Sequence, residues 1–143
     1  MNVLDAAQLQ EVLSASFPGS DVPRVDDVAG DTVVVSLRVD QRHGRPGGTL
    51  SGPTMMMLAD TAAWIAIMAR VGPVLLAVTT SLHIDFLRKP DVADLVARAT
   101  LLKLGRRLAV VDVSLFSRGR DQLVAKAQVT YAIPSQTTEG VSQ

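Results

Sequence analysis

One acidic side chain stands alone in a long apolar segment and is the strongest candidate for chemistry in this chain. Asp60 is the only charged residue between Arg45 and Arg70, and Met, Leu, Ala, Ile and Trp dominate the sequence around it. Burying a carboxylate among such residues is costly unless it is paired with a cation or used in a reaction. Asp60 is therefore a candidate general base or nucleophile, and the alternative is a structural acid satisfied by the helix of a facing subunit or by Arg45.

A glycine-rich turn precedes this segment and ends in a proline that favours the start of a helix. Gly47, Gly48 and Gly52 come before Pro53, and proline suits the first helical position because its missing N–H is not needed there. Ser51 or Gly52 can cap the helix. A free N–H at a helix N-terminus can stabilise an oxyanion. Ser51 is better suited to capping than to nucleophilic attack, because no nearby histidine is available as its base.

Composition excludes several functional classes. The chain has 143 residues, a formal net charge of zero and no cysteine. The balanced charge argues against a nucleic-acid partner, and the lack of cysteine excludes disulfides, thiolate zinc sites and a cysteine nucleophile. His43 and His83 lie too far apart in sequence for metal-ligand spacing. We therefore expect neither a metal nor another cofactor.

The chain gives no sign of export or of membrane insertion. The N-terminal residues include acids and lack the basic and apolar regions of a signal peptide. No apolar run approaches the roughly 18 residues that suggest a membrane span. These features predict a soluble, cytoplasmic protein.

Hydrophobic periodicity divides the chain into two helices and five strands. The predicted helices are residues 4–17 and 53–71. The predicted strands are residues 32–39, 75–86, 95–104, 108–117 and 122–133. Loops are predicted at residues 21–30 and 41–48, and a frayed tail at residues 135–143.

The second predicted helix is apolar on almost every side, which indicates burial all round rather than one wet face. The short breaks between the last four strands favour an antiparallel meander. A sheet that wraps around one central apolar helix satisfies both observations. The predicted fold is therefore a single α+β domain with a two-layer core and an extra N-terminal helix.

Four stretches of this sequence resemble the small acyl-CoA thioesterases of the PaaI-like family, which have the hotdog fold. They are GGTLSGPTMMMLADTAAW, AVTTSLHIDFLRKP, LLKLGRRLAVVDVSLF and LVAKAQVTYAIP. Ser51, Gly52 and Pro53 stand at the family's His-Gly-Gly motif, and Asp60 stands at its catalytic acid. The resemblance implies one hotdog domain over residues 1–143 that hydrolyses an acyl-CoA to a free acid and coenzyme A.

The resemblance also assigns roles to individual residues. It makes the Gly52 N–H the oxyanion donor and Asp60 the general base or nucleophile. Thr79 aligns with a hydroxyl position and could hold a water beside Asp60, whereas Thr80 points to the other strand face. Arg45 stands where relatives often have a polar residue such as Asn, and could pair with Asp60 or bind a substrate carboxylate.

The positions of Gly52 and Asp60 on one helix predict a site shared between two chains. They lie eight positions apart, which is roughly 12 Å along a helix axis. That separation is too long for both to act on one thioester carbon. The resemblance implies the same conclusion, because hotdog thioesterases are dimers with composite interface sites. We therefore expect a homodimer or a homotetramer, and the sequence does not choose between them.

Other residues are candidates for substrate binding. Arg88, Lys89, Arg106 and Arg107 lie at predicted strand ends and could hold the phosphates of coenzyme A. Pro53 is a further candidate, and Met56, in the run of three methionines after it, could line an acyl pocket because methionine adapts to varied shapes. The acyl group itself is left open.

Two other functions compete with the thioesterase prediction. Ser51 replaces the family's histidine and Arg45 replaces a small polar residue, which is compatible with a non-catalytic, dimeric acyl-CoA or small-acid binding protein. A hotdog dehydratase or hydratase ranks lower, because such enzymes pair a histidine with an acid and neither His43 nor His83 lies in a matching motif.

Overall fold

The chain forms an antiparallel sheet around one long helix in the computed structural model. The structure describes residues 1–40, 44–45 and 49–135, and of residues 44, 45 and 49 it describes the backbone. The predicted 41–48 loop, with His43, Gly47 and Gly48, and the tail beyond residue 135 lie largely outside the described residues. The elements are α1 (Ala6–Ser16), β1 (Arg24–Ala29), β2 (Thr32–Leu37), β3 (Gly44–Arg45), β4 (Thr49–Leu50), α2 (Gly52–Val71), β5 (Val78–Phe86), β6 (Leu95–Leu104), β7 (Leu108–Ser117) and β8 (Leu123–Ala132).

Six strands pair in the order β1-β2-β6-β7-β8-β5, and β3 pairs with β4 separately. The predicted meander is confirmed for β6, β7 and β8, but its extension to β5 was wrong because β5 pairs with β8 instead. β5 and β6 lie three strand spacings apart, about 14 Å. Residues 87–94 can span this distance, because an extended chain covers about 3.3 Å per residue. β5 is consequently an edge strand.

The prediction missed three strands, namely the short pair β3 and β4 and, in the six-stranded sheet, β1. Residues 21–30 were expected to be a loop, yet β1 (Arg24–Ala29) pairs with β2 across a tight turn in which Gly30 has a φ of 62°. Asp26 and Asp27 interrupt the apolar alternation, and a bulge between Val25 and Asp27 shifts the register. An edge strand with this pattern lacks the period-2 signal on which the prediction depended. The other predicted boundaries lie within about three residues of those observed.

Helix α2 begins at its Ser51 cap and ends at Gly72. The Ser51 hydroxyl accepts a hydrogen bond of 3.2 Å from the Thr54 N–H, and Gly72 has a φ of 89°, which favours glycine. Residues 62–69 are all buried against the sheet, while Met56 and Met57 near the N-terminus are exposed. The α+β architecture with a central, nearly encircled helix is therefore confirmed.

Helix α2 is also long and apolar enough, by length and composition, to cross a membrane. Its most apolar 18-residue window has a mean hydropathy of 1.3. The expectation that no segment would reach this length was wrong, because one carboxylate barely lowers the average of so apolar a segment. The rest of the domain buries 61% of that window, as is usual for the core helix of a globular domain.

Candidate active site

Asp60 lies in the middle of α2, where the helix passes from its partly exposed first turns to its buried remainder. Its neighbours Ala59 and Ala62 are fully buried, whereas Asp60 itself is partly accessible. The helix therefore presents the carboxylate at the margin of the core, where polar side chains of the sheet can reach it.

Thr79 is one of those side chains. Its hydroxyl donates a hydrogen bond of 2.6 Å to Oδ1 of Asp60. A bulge in β5 between Thr79 and Ser81 separates Thr79 from its neighbour, and the Thr80 hydroxyl instead donates to the Thr130 carbonyl at 3.2 Å. The structure thus brings Thr79 to the acid and turns Thr80 away from it.

Tyr131 is a site residue that sequence reasoning missed. Its hydroxyl lies 2.9 Å from Oδ1 of Asp60 and 3.1 Å from the Asp60 backbone oxygen. Burial raises the pKa of the Tyr131 hydroxyl, the Asp60 charge raises it further, and the Thr79 hydroxyl offsets these effects only in part. The phenol is therefore a protonated donor at neutral pH. A signal existed, since Tyr131 is the single tyrosine of the chain, sits on the apolar face of β8 and needs a hydrogen-bond partner when buried.

Gly52 occupies the first position of α2, directly after the Ser51 cap. An N–H at this position has no acceptor within its own helix, and no other residue in the described ranges accepts from it. Ser51 is engaged by the N–H and the hydroxyl of Thr54, so it serves as a cap. With respect to the described residues, the Gly52 N–H is available as a donor at the positive end of the helix dipole.

An open groove of about 580 Å³ lies in front of this helix N-terminus. Gly52, Pro53 and Met55 form one wall, and the segment from Phe86 to Pro90 forms another. Met55 lines the groove, whereas the predicted pocket residue Met56 is exposed on the helix surface. A side chain at Gly52 would meet the Phe86 ring, with its Cβ 3.4 Å from the nearest ring carbon. This distance is an ordinary van der Waals contact, so a Cβ at position 52 fits against the ring.

The four predicted phosphate ligands fall into two separate pairs. Arg88 and Lys89 follow β5 and border the groove, and the Arg88 guanidinium donates to the Leu123 carbonyl at the start of β8. Arg106 and Arg107 are exposed in the β6–β7 turn, where the Arg107 carbonyl accepts from the Ile133 N–H beyond the end of β8. The two pairs therefore lie at opposite ends of β8, roughly 30 Å apart in one chain.

The remaining candidate residues are His83 and Arg45. His83 is exposed on the outer face of β5 and contacts Asp85 at 3.1 Å, as the strand alternation predicts. Arg45 belongs to β3, and its side chain lies outside the described part of the structure. Within the described residues, no group of three or more His, Cys, Asp or Glu side chains is arranged to hold a metal ion.

Known proteins are similar to this chain in sequence. Residues 47–124 match the family described as the thioesterase superfamily. A candidate esterase of Pseudomonas aeruginosa is 35% identical over 71% of this chain and 75% of its own length. Acyl-coenzyme A thioesterase 13 of Mus musculus is 28% identical over 85% of this chain and 91% of its own length.

Solved structures share the fold. A candidate thioesterase from Silicibacter sp. TM1040 superposes with a TM-score of 0.86 and 43% identity, covering 94% of this chain and 95% of its own. A variant of the phenylacetic acid degradation protein PaaI from Thermus thermophilus has a TM-score of 0.68 and 32% identity, covering 78% and 93%. The predicted hotdog fold is confirmed by these similarities.

Proposed function

Because this chain belongs to the thioesterase superfamily, its activity is thioester hydrolysis, and we propose that its substrate is an acyl-CoA, cleaved to a free acid and coenzyme A. The observation that carries the proposal is the partly accessible Asp60 carboxylate, held on the central helix by two hydroxyl groups. Similarity to mouse acyl-coenzyme A thioesterase 13 supports the substrate class, and similarity to Thermus PaaI supports a PaaI-like enzyme.

Asp60 has two possible roles in this reaction. As a general base it takes a proton from water while the water oxygen bonds to the carbonyl carbon, the C–S bond breaks, and the proton passes to the departing thiolate. As a nucleophile it bonds to the carbonyl carbon, the thiolate leaves and takes a proton from solvent, and water then hydrolyses the mixed anhydride. Thr79 can also accept a hydrogen bond from the water in the first route.

The oxyanion of either route needs a donor, and we assign this role to the Gly52 N–H. A backbone N–H at a helix N-terminus is fixed in direction and carries the positive end of the helix dipole. Gly52 and Asp60 belong to the same helix, so roughly 12 Å of axis separates them. One thioester cannot contact both within one chain, and a second copy must supply one of the two.

The edge strand β5 offers a way to build that composite site. Thr79, beside Asp60, lies near its first end, and Phe86, beside Gly52, lies at its last. If two copies pair antiparallel along β5 around a two-fold axis, the Phe86 end of one meets the Thr79 end of the other. Two equivalent sites result, each with Gly52 from one copy and Asp60 from its partner.

Exposed apolar side chains at both ends of β5 support this pairing. Leu76, Val78, Phe86 and Leu87 are exposed in the single chain. An edge strand with free backbone groups and apolar flanks is a surface that proteins ordinarily cover. We therefore propose a homodimer as the smallest active unit, and a dimer of such dimers is compatible with it.

The same pairing brings the two basic pairs together. Arg88 and Lys89 lie at the Gly52 end of β5, and Arg106 and Arg107 lie near the Thr79 end. In an antiparallel dimer the first pair of one copy approaches the second pair of the other. We propose that these side chains bind the phosphates of coenzyme A, and that the groove of about 580 Å³ receives part of the substrate.

The experiment that tests this function measures free thiol release from a panel of short, medium and aromatic acyl-CoAs. Asp60→Asn should abolish turnover and keep the native oligomeric state, because its amide oxygen can still accept the bonds from Thr79 and Tyr131. Asp27→Asn, which removes an exposed charge from β1 at the opposite edge of the sheet, is the control and should retain activity. Substrate binding without turnover by the wild type would instead identify a binding protein.

A further inference from the structure

Both hydroxyl groups that reach Asp60 contact the same carboxylate oxygen. Thr79 lies 2.6 Å from Oδ1 and Tyr131 lies 2.9 Å from Oδ1. Among the residues that the structure describes, none donates to Oδ2. A carboxylate oxygen has two lone pairs, so Oδ1 is fully occupied by these donors. As far as the described residues go, Oδ2 is the oxygen that can meet a water or a substrate.

Tyr131 is held more firmly than a surface donor would be. Its residue is 5% exposed, and β8 is paired on both sides, with Tyr131 opposite Ala109 of β7 and Thr79 of β5. Its hydroxyl also lies 3.1 Å from the Asp60 backbone oxygen. A rigid ring that touches both the side chain and the main chain of one residue restricts how that carboxylate can rotate.

The bulge in β5 lies directly beside the Thr79–Tyr131 pair. Thr79 and Tyr131 are direct cross-strand partners, and the register shifts immediately after them, between Thr79 and Ser81. Bulges re-aim side chains and recur beside active sites. Here the two aligned hydroxyl groups form a pair that extends from adjacent strands to one atom of α2.

We propose that Tyr131 is a positioning residue that, together with Thr79, fixes the Asp60 carboxylate and presents Oδ2 to the reacting thioester or its attacking water. This inference rests on the proposed function and adds a residue to it. Small misplacements of a reacting group have large effects on rate. Tyr131 touches no substrate in this scheme, so its loss should affect the chemical step and leave binding alone.

Tyr131→Phe tests the inference, because it removes the hydroxyl and keeps the ring in the core. We expect kcat for the best acyl-CoA of the panel to fall about tenfold or more, as for loss of a hydrogen bond to a charged group, with KM within about twofold of wild type. Circular dichroism and thermal unfolding check that the variant is folded. A folded Tyr131→Phe with wild-type kcat, or with a changed KM alone, would overturn the inference.

A second measurement needs no turnover. Because the chain has one tyrosine, ¹³C labelling of the tyrosine Cζ gives a single resonance that reports on the Tyr131 hydroxyl. Asp60→Asn should move this resonance, whereas the control Asp27→Asn, on β1 at the opposite edge of the sheet, should leave it in place. A resonance insensitive to Asp60→Asn would overturn the contact on which the inference depends.

The two proposals fail in different ways. A wild-type protein that hydrolyses no acyl-CoA would remove the proposed function and the catalytic role of Tyr131 with it. An active wild type whose Tyr131→Phe variant is equally active would remove only the role of Tyr131.

Discussion

The hydroxyl of Thr79 donates a hydrogen bond of 2.6 Å to Oδ1 of Asp60, and the two residues lie 19 positions apart in the chain. This bond joins the edge strand β5 to the middle of the central helix. Any shift of β5, including one caused by a partner chain on its free edge, is therefore transmitted to the carboxylate.

Removing the Thr79 hydroxyl should slow the chemical step. We expect Thr79→Val to lower kcat about tenfold through loss of a hydrogen bond to the charged acid, and Thr79→Ser to restore most of it. Thr80→Val is the matched control, because the Thr80 hydroxyl bonds the Thr130 carbonyl instead. Steady-state kinetics on the best acyl-CoA provide the readout. Equal losses in Thr79→Val and Thr80→Val would indicate a general effect on the strand.

Replacing Gly52 by proline should remove the oxyanion donor, and circular dichroism checks that α2 persists, because position 52 itself precedes Pro53. Proline fits the first helical position, and Ser51 already has the extended conformation, with a ψ of 150°, that a following proline requires. We expect kcat to fall about 100-fold or more, as for loss of an oxyanion-hole donor. Gly52→Ala keeps the N–H and places its Cβ in ordinary contact with Phe86. The fall in kcat of this variant should therefore be far smaller. A similar fall in kcat in both variants would indicate a steric effect instead of loss of the N–H donor.

Mixing two inactive variants should restore activity if Gly52 and Asp60 come from different chains. After Gly52→Pro and Asp60→Asn proteins are denatured together and refolded, half of the dimers are mixed, and each mixed dimer holds one intact site. The expected activity is about a quarter of the wild-type value for a two-fold symmetric dimer. The same mixture without subunit exchange is the control. Recovery no greater than this control would contradict a shared site.

The basic residues at the two ends of β5 should affect binding of the nucleotide phosphates of coenzyme A and not binding of the thioester itself. We expect Lys89→Ala and Arg106→Ala to raise KM for acyl-CoA about two- to fivefold, as for loss of exposed ion pairs. KM for the matching acyl-pantetheine, which lacks the nucleotide phosphates, should be unchanged. Arg98→Ala on the outer face of β6 is the control, since Arg98 is exposed away from the core. A parallel rise for both substrates would point to altered folding.

Asp26 should make stability depend on pH in the acid range. Burial raises its pKa, but the Ser36 hydrogen bond and the Arg24 and Arg118 guanidinium groups outweigh burial, so the pKa lies below its ordinary value of 3.8. The resulting stability is complete above the pKa of the unfolded chain and is lost as the pH falls through the lower pKa of the folded state.

Urea unfolding of wild type and Asp26→Asn across the acid range measures this contribution. The variant should be less stable at neutral pH, and the difference should vanish as the pH falls below the folded-state pKa. Asp27→Asn on the same strand is the neighbouring control. A difference between wild type and Asp26→Asn that stays constant with pH would contradict the linkage.

Local sequence signals predicted the parts of the site that lie on one element. The isolated acid, the Ser51 cap and the end of α2 at Gly72 are each readable within a few residues, because capping and helical periodicity are short-range properties. Thr79 was chosen from the family resemblance, because strict alternation would place it on the outer face with Ser81 and His83, and the bulge between Thr79 and Ser81 changes that alternation. Local signals also missed β1, where Asp26 and Asp27 break the alternation.

The sequence by itself therefore determined the elements, the apolar central helix and the lone acid within it. Only the tertiary structure decided that β5 pairs with β8, that Arg88 and Arg107 lie at opposite ends of the sheet, and that Tyr131 reaches Asp60. Tyr131 and Asp60 are 71 positions apart. Their contact depends on which strands become neighbours, and strand pairing over such distances depends on how the whole core packs, which no local pattern encodes.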